Sequence, residues 1–269
     1  MVNGYIKHAA LVNVAWEAVL SGDLMRGKPL LTQALAVQPD YVAYTRRSWC
    51  NLLLGDGEAA LNDQLASRHN MRKDATSTGV GVAYWYLKQY EQACNDWNNE
   101  LLRLISGEAI YTDAAGGGGF GSLLWWASTH KYLGHWREIA EDHLRRLSTE
   151  EHYQKIDSGA TEWPAPVAGY LLGMHSEHSA RELAKTKYDR VSTNRMTQLD
   201  FYVAAKELSL DHNMEYISWL NKIVISPVGI SSETMLARIE TNNMDTSGPL
   251  KSFQAIKAAS PNPELFRLN

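Results

Sequence analysis

Apolar residues recur along the first hundred residues at spacings of three, four and seven, which is typical of helices that bury one face. One stripe runs from Leu11 to Val19, and the next includes Leu24, Leu31 and Leu35. The pattern predicts six helices in three pairs, over residues 6–20 with 24–38, 41–54 with 59–68, and 77–87 with 87–104.

A short polar dipeptide separates the two helices of each pair. It occurs as Gly22-Asp23, Gly55-Asp56 and Lys88-Gln89 at equal steps, and Gly134-His135 is a weaker match further along the chain. Glycine permits left-handed backbone angles in such a turn, and aspartate can cap the helix that follows. We call the step from Gly22 to Gly55, and again from Gly55 to Lys88, the repeat interval. It matches the length of one two-helix repeat, so we predict a stack of helical hairpins.

Side chains inside these pairs alternate between small and large, as interlocking helices require. Those that carry a family likeness are Gly22, Ala34, Pro39, Gly81, Tyr84, Tyr90, Ala93 and Trp97. At these positions residues 5–147 resemble the tetratricopeptide repeat family. The resemblance implies an all-α superhelix, or solenoid, of hairpins. The chain departs from the family pattern at Lys88, which replaces a turn glycine, and at Ser67 and Glu100, which replace packing alanines.

Beyond the third pair the interval changes, which divides the chain into three predicted regions. Residues 1–147 hold the tetratricopeptide-like repeats, with a glycine-rich insertion at 105–121 before a helix at 122–133. Residues 148–241 hold degenerate hairpins of the same solenoid, predicted at 167–173 with 180–184 and at 198–208 with 215–223. Residues 242–269 are expected to form a cap and a tail.

Composition narrows the class of partner and the compartment. The net charge of −4 and the pI near 6.1 argue against a general nucleic-acid binder, which needs clustered Lys and Arg. Cys50 and Cys94 lack the spacing of a metal or redox motif and are expected to be buried thiols. The apolar run at residues 9–20 is too short to span a bilayer, so we expect a cytoplasmic protein without a membrane role.

No motif for catalysis, metal binding or cofactor binding stands out. Gly116–Gly119 are not followed by the lysine of a phosphate-binding loop. His175 and His178 lie one helical turn apart without the zinc-protease signature, and His130, His135 and His143 lack an adjacent nucleophile. We therefore expect no enzyme, no metal and no cofactor.

Tryptophan and tyrosine are abundant, and both are enriched at protein interfaces. Trp16 and Trp49 are separated by the repeat interval, so they occupy equivalent places that could line a groove or pack between helices. The Arg46-Arg47 pair could bind carboxylates or be simply solvated, and acids in the insertion could meet a basic partner. The residues expected to contact a partner are Thr45, Arg46, Trp49, Trp85, Glu108, Tyr111, Asp113 and Trp126.

These observations favour a noncatalytic repeat protein that binds another protein. The run from Tyr111 to Ser128 resembles the helical-repeat immunity proteins of bacterial polymorphic toxin systems. That resemblance implies tight binding of a cognate toxin domain, with Glu108 and Asp113 facing its basic cleft. Two alternatives stay open: a regulatory protein that senses a small ligand or peptide, and an all-α enzyme that uses His130, His175 or His178.

Overall fold

The computed structural model describes residues 2–110, 118–147, 163–225 and 230–244. These residues form helices and connecting turns, without a strand among them, so the all-α prediction is confirmed. The solenoid arrangement stays a prediction. In chain order the helices are α1 (Val2–Leu20), α2 (Leu24–Val37), α3 (Tyr41–Leu53), α4 (Gly57–Asn70), α5 (Gly79–Tyr86), α6 (Tyr90–Ile105), α7 (Gly118–Ala127), α8 (Trp136–Leu147), α9 (Ala165–Leu171), α10 (Glu177–Ala184), α11 (Asp189–Ser209), α12 (Asn213–Ile225) and α13 (Ser232–Met244).

The turn predicted at each repeat interval is present three times with the same geometry. Gly22, Gly55 and Lys88 are left-handed, with φ of 85°, 87° and 60°. In each turn this residue donates its N–H to the carbonyl three residues earlier, and the next residue donates to the carbonyl five residues earlier. This pair of bonds satisfies carbonyls that the helix end leaves open. The same pair of bonds also closes the turns at Gly173 and Asp211, so the three equally spaced turns share a helix end that is not confined to the interval.

Aspartates cap the helices that follow the glycine turns. Asp23 accepts a hydrogen bond from the Arg26 amide at 3.2 Å, and Asp56 accepts one from the Ala59 amide at 3.1 Å. Each side chain satisfies one of the amides that a helix start leaves without a partner. Asp40 caps α3 in the same way through the Ala43 amide.

The fourth expected turn, at Gly134-His135, differs from the other three. Gly134 is not left-handed, and α7 ends earlier, at Ala127, instead of continuing to residue 133 as predicted. The start of α7 also differs, because its first helical residue is Gly118, inside the expected glycine-rich loop. Apolar burial along Phe120–Ala127 outweighs the low helix propensity of glycine.

The chain divides into two compact units. Unit 1 consists of the described residues up to Arg72, Val82–Gln89, and the described residues from Val224 onward. In it α1 packs on α2, α2 on α3 and α3 on α4, and α1 also touches α3. Short turns make neighbouring helices antiparallel, and Ala15, Val19, Leu24, Leu31 and Cys50 form a core cluster between them.

Unit 2 consists of Lys73–Gly81 and the described residues from Tyr90 to Ile223. Its central helix is α7, which packs against α6, α8, α9 and α11. Trp126 on α7 lies 6.4 Å from Trp97 and 5.1 Å from Phe201 between ring centroids. Helices lie near the residues expected for the later hairpins, as α9, α10, α11 and α12, and α9 packs against α10. That they are degenerate hairpins of one solenoid stays a prediction.

Candidate binding surface

Two helices of unit 1, α1 and α3, meet at a half-exposed edge that carries a cation and an indole. The guanidinium carbon of Arg46 lies 5.1 Å from the centre of the Trp16 ring, and its Nη1 donates to the Val12 carbonyl at 3.2 Å. By helical spacing Asn13 lies beside Trp16 and Val42 lies beside Arg46. We call Asn13, Trp16, Val42 and Arg46 the Arg46 surface; Asn13 is exposed and the other three are half-buried.

The Arg46 guanidinium is held in place, but most of its N–H groups make no hydrogen bond to the described residues. Burial lowers its pKa, and the nearby Asp40 carboxylate partly offsets that effect. Among the described residues, its hydrogen bond to Val12 is the single one it makes. The remaining N–H groups can therefore donate to a carboxylate or a carbonyl from outside the chain.

Arg47, the next residue, is committed to the fold instead. Its Nε and Nη2 donate to the two carboxylate oxygens of Asp63 at 2.9 and 2.6 Å, and its Nη1 donates to Thr32 Oγ1 at 3.2 Å. The hydrogen bond to Asp63 is the main cause that raises the pKa of Arg47. The two arginines thus have separate roles, which the sequence did not distinguish.

Thr45 also serves the hairpin. Its hydroxyl lies 2.8 Å from the Ser67 hydroxyl, which in turn donates to the Tyr41 carbonyl at 2.9 Å. Ser67 stands where the tetratricopeptide pattern has alanine, and its hydroxyl joins α4 to α3. Thr45 is half-buried.

Three tryptophans expected at the partner surface are buried. Trp49 is 8% exposed, Trp85 is 1% exposed and Trp126 is fully enclosed. Trp85 Nε1 donates to Glu240 at 2.9 Å, and Trp126 packs in the aromatic core of unit 2. Of the repeat-spaced pair, Trp49 packs in the interior, whereas Trp16 is half-buried at the Arg46 surface, so equal spacing did not give equal exposure.

The acidic candidates lie near the glycine-rich insertion. Glu108 follows α6 and is exposed. Tyr111 and Asp113 lie outside the described residues. Thr45, Arg46, Trp49 and Trp85 belong to unit 1, whereas Glu108 and Trp126 belong to unit 2.

The sequence did not predict an open surface cavity of about 420 Å³ in unit 2, at which Met174 is 58% exposed. Leu171, Leu172 and Met174 form its apolar lining, and Glu141 and Arg145 stand at its polar side with 2.6 Å between their charged groups. The size is in the range of small-ligand pockets. No local sequence motif indicates this cavity, because its residues come from α8 and from the end of α9, which are separated in the sequence.

The histidines have individual environments. His143 is buried, His175 packs against Gly169, His178 is exposed, and His135 lies 3.4 Å from Glu91. In the part of the chain that the structure describes, no three His, Cys, Asp or Glu side chains group as a metal site would require.

None of the described helices has both the length and the apolar character needed to cross a bilayer.

Comparisons with known proteins supply no family for this chain. Neither a protein-family model nor a curated protein sequence matches it.

Proposed function

We propose that this chain is a noncatalytic, protein-binding helical-repeat protein whose partner contacts the Arg46 surface. The observation that supports this most directly is the guanidinium of Arg46, fixed over Trp16 with N–H groups left to donate. Arginine and tryptophan are the residues most enriched at binding hot spots. The equal spacing of the turns at Gly22, Gly55 and Lys88 supports the repeat-protein part of the proposal.

The Arg46 side chain is preorganised for binding. Stacking on Trp16 and the bond to Val12 restrict the Arg46 side chain before any partner arrives, so binding orders little more of it. Partial burial has also removed water from the guanidinium. A partner carboxylate placed there gains a charge-assisted hydrogen bond, so we expect a partner with an acidic or carbonyl-rich contact patch.

Quantitative affinity purification from the native cell tests the proposal. We expect Arg46→Ala to weaken capture of the main partner by about 30-fold, the equivalent of a hot spot of about 2 kcal/mol. Arg26→Ala is the matched control, because Arg26 is an exposed arginine of α2 whose side chain makes no bond among the described residues. Equal capture by wild type and Arg46→Ala, with the melting temperature unchanged, would reject the Arg46 surface.

A narrower form of the proposal is that the partner is a bacterial toxin domain which this protein neutralises. It rests on the resemblance of residues 111–128 to helical-repeat immunity proteins, and on the exposed carboxylate of Glu108 as a contact for a basic cleft. Coexpression with a toxin domain encoded beside it tests this form. Protection of the host is expected, and equal killing with and without this protein would exclude it.

The cavity of unit 2 favours ligand sensing as a second candidate function. Its apolar lining and its Glu141–Arg145 edge suit a small molecule with an apolar body and one polar group. A ligand bound there would raise the melting temperature of the wild type. Leu172→Trp, which fills the cavity, should abolish that rise, whereas Leu210→Trp at an exposed site should not.

A further inference from the structure

Unit 2 contains a second guanidinium that lies against an indole. The guanidinium carbon of Arg137 on α8 lies 3.9 Å from the centre of the Trp125 ring on α7. That separation is direct atomic contact, and it is shorter than the 5.1 Å between Arg46 and the Trp16 ring. Trp125 is 4% exposed, so its ring is a fixed platform for the Arg137 side chain.

The Arg137 guanidinium has no hydrogen-bond partner among the residues that the structure describes. Glu141, one helical turn further along α8, has its Oε1 3.9 Å from Arg137 Nη1, which is too far for a hydrogen bond. The Glu141 carboxylate is bound instead by Arg145, whose Nη2 donates to Oε2 at 2.6 Å. The Arg137 side chain is 28% exposed, so an acceptor from outside the chain can reach its N–H groups.

The indole in this stack lacks an acceptor as well. Trp125 Nε1 is buried and makes no hydrogen bond within the described part of the chain. Burial also lowers the pKa of Arg137, and the nearby Glu141 partly offsets that effect. Buried donors are normally hydrogen-bonded, because a polar group that leaves water without a partner costs free energy. The stack of Arg137 on Trp125 therefore holds more donors than acceptors, and an anion bound at Arg137 would supply acceptors.

The open cavity of unit 2 begins one helical turn from Arg137 on the same side of α8. Glu141 and Arg145 line this cavity, and they follow Arg137 by four and eight residues. Its other lining residues are apolar and lie at the end of α9, a helix that packs against both α7 and α8. Two arginines on this side of α8 flank one glutamate, so the edge of the cavity is positively charged. A positive edge beside an apolar lining suits an acid with an apolar body.

We propose that Arg137 is the anion-binding residue of the unit 2 cavity and that the ligand is a small carboxylic acid with an apolar body. The planar guanidinium presents paired N–H donors that fit the two oxygens of a carboxylate. Glu141 stays paired with Arg145, and the apolar body of the ligand lies against Leu171 and Leu172. The inference deepens the ligand-sensing function proposed for this cavity and rests on it.

Binding of octanoate to the full chain tests the proposal, with octan-1-ol as the neutral probe that has the same number of carbon atoms. Isothermal titration calorimetry measures both affinities. We expect Arg137→Gln to weaken octanoate binding at least 10-fold and to leave octan-1-ol binding within twofold of wild type. Arg146→Gln is the matched control, because Arg146 is an exposed arginine of the same helix that pairs with Asp142 at 2.8 Å. Equal octanoate affinity in wild type and Arg137→Gln would overturn the proposal.

A comparison within the wild type covers the case in which Arg137→Gln does not fold. An apolar cavity without a cation binds the neutral alcohol more tightly than the carboxylate, because the charged group has to leave water. We therefore expect the wild type to bind octanoate more tightly than octan-1-ol, and the reverse order would overturn the proposal.

Leu172→Trp separates failure of this inference from failure of ligand sensing. Octan-1-ol that binds the wild type but not Leu172→Trp occupies the cavity. If octanoate binding then does not depend on Arg137, the cavity remains a ligand site and the carboxylate inference alone is wrong. If neither probe binds the wild type, ligand sensing in the cavity fails together with it. None of these variants alters the Arg46 surface, which is tested separately.

Discussion

At the scale of single residues, the middle hairpin of unit 1 is unusual because its interior is polar. Asn51 and Gln64 are buried on α3 and α4. Asn51 Nδ2 donates to Asp63, which also pairs with Arg47, whereas Asn51 Oδ1 is buried without a hydrogen bond to any described residue. Both amide atoms of Gln64 are buried without a hydrogen bond to any residue that the structure describes. The repeat equivalents of Gln64 are Leu31 and Trp97, which are apolar.

Gln64→Leu should therefore stabilise the protein. It copies the residue of the first repeat and removes a buried amide that lacks partners among the described residues, which is worth about 1–3 kcal/mol in free energy of unfolding. Chemical denaturation measures the change. Gln33→Leu on the exposed face of α2 is the control and should stay within about 0.5 kcal/mol of wild type. A loss of stability in Gln64→Leu would mean that the amide is bonded in solution.

The two buried cysteines predict that the free energy of unfolding depends on pH. Burial raises the pKa of Cys50 from 9.0 to about 11 and that of Cys94 to about 12, where Glu91 adds to the effect. The unfolded thiols lose their protons first, so the unfolded state binds fewer protons above pH 9 and stability falls as pH rises from 9 toward 11 or 12. Denaturation at pH 8 and pH 10 should show this fall, and Cys50→Ala with Cys94→Ala should reduce it.

At the scale of helices and turns, Lys88 bears a strain that its glycine equivalents avoid. Its φ of 60° costs a residue with a Cβ roughly 1–2 kcal/mol, partly offset because glycine loses more freedom on folding. Lys88→Gly should thus stabilise by about 0.5–1 kcal/mol. Gly55→Ala should do the reverse, although the added Cβ would have space. Gly134→Ala is the control without a left-handed φ, and destabilisation there comparable to Gly55→Ala would refute the argument.

The sequence predicted the turns at Gly22, Gly55 and Lys88 because they are equally spaced, whereas turns with the same bonds at Gly173 and Asp211 lie off that interval and were not predicted. Periodicity also placed the first six helices to within a few residues. It did not predict α13, whose Glu233 and Glu240 look solvated in a one-dimensional pattern but are buried by tertiary contacts. The sequence also could not predict that Arg46 and Arg47 make different contacts, or that Trp49 and Trp85 are buried. Both outcomes depend on neighbours that are distant in the chain.

Close approach between α5 and α6 depends on a matched pair, Gly81 and Trp97. A Cβ at Gly81 would collide with the Trp97 indole, whereas the first repeat has Ala15 and Leu31 at these places. Gly81→Ala should cost about 1–3 kcal/mol and Trp97→Leu about 2–4 kcal/mol. The double variant copies the first repeat, so its cost should be lower than the sum by about 1 kcal/mol or more. A double-mutant cycle measures this coupling, and simple additivity would contradict it.

At the scale of the whole molecule, unit 1 is assembled from three separate stretches of the chain, and the last of them supplies both Ile230 and α13. Loops must close over most of the sequence before this unit is complete. The stability of its N-terminal hairpins is therefore coupled to residues near position 230. Cys50 lies in the cluster that Ile230 touches, and Cys94 lies in unit 2, so the two thiols report on different units.

Ile230→Ala tests that coupling. Removing a partly buried isoleucine side chain should cost about 1–2 kcal/mol, less than for a fully enclosed one. Local opening around Cys50 then becomes roughly 5–30 times more frequent. Reaction with a thiol reagent at pH 8, measured in single-cysteine variants made with Cys94→Ala or Cys50→Ala, should accelerate by that factor at Cys50 and stay within twofold at Cys94. Ile225→Ala at an exposed position is the control. Equal acceleration of both thiols would show that the chain opens as one body, and that the burial of Cys50 does not depend specifically on this distant contact.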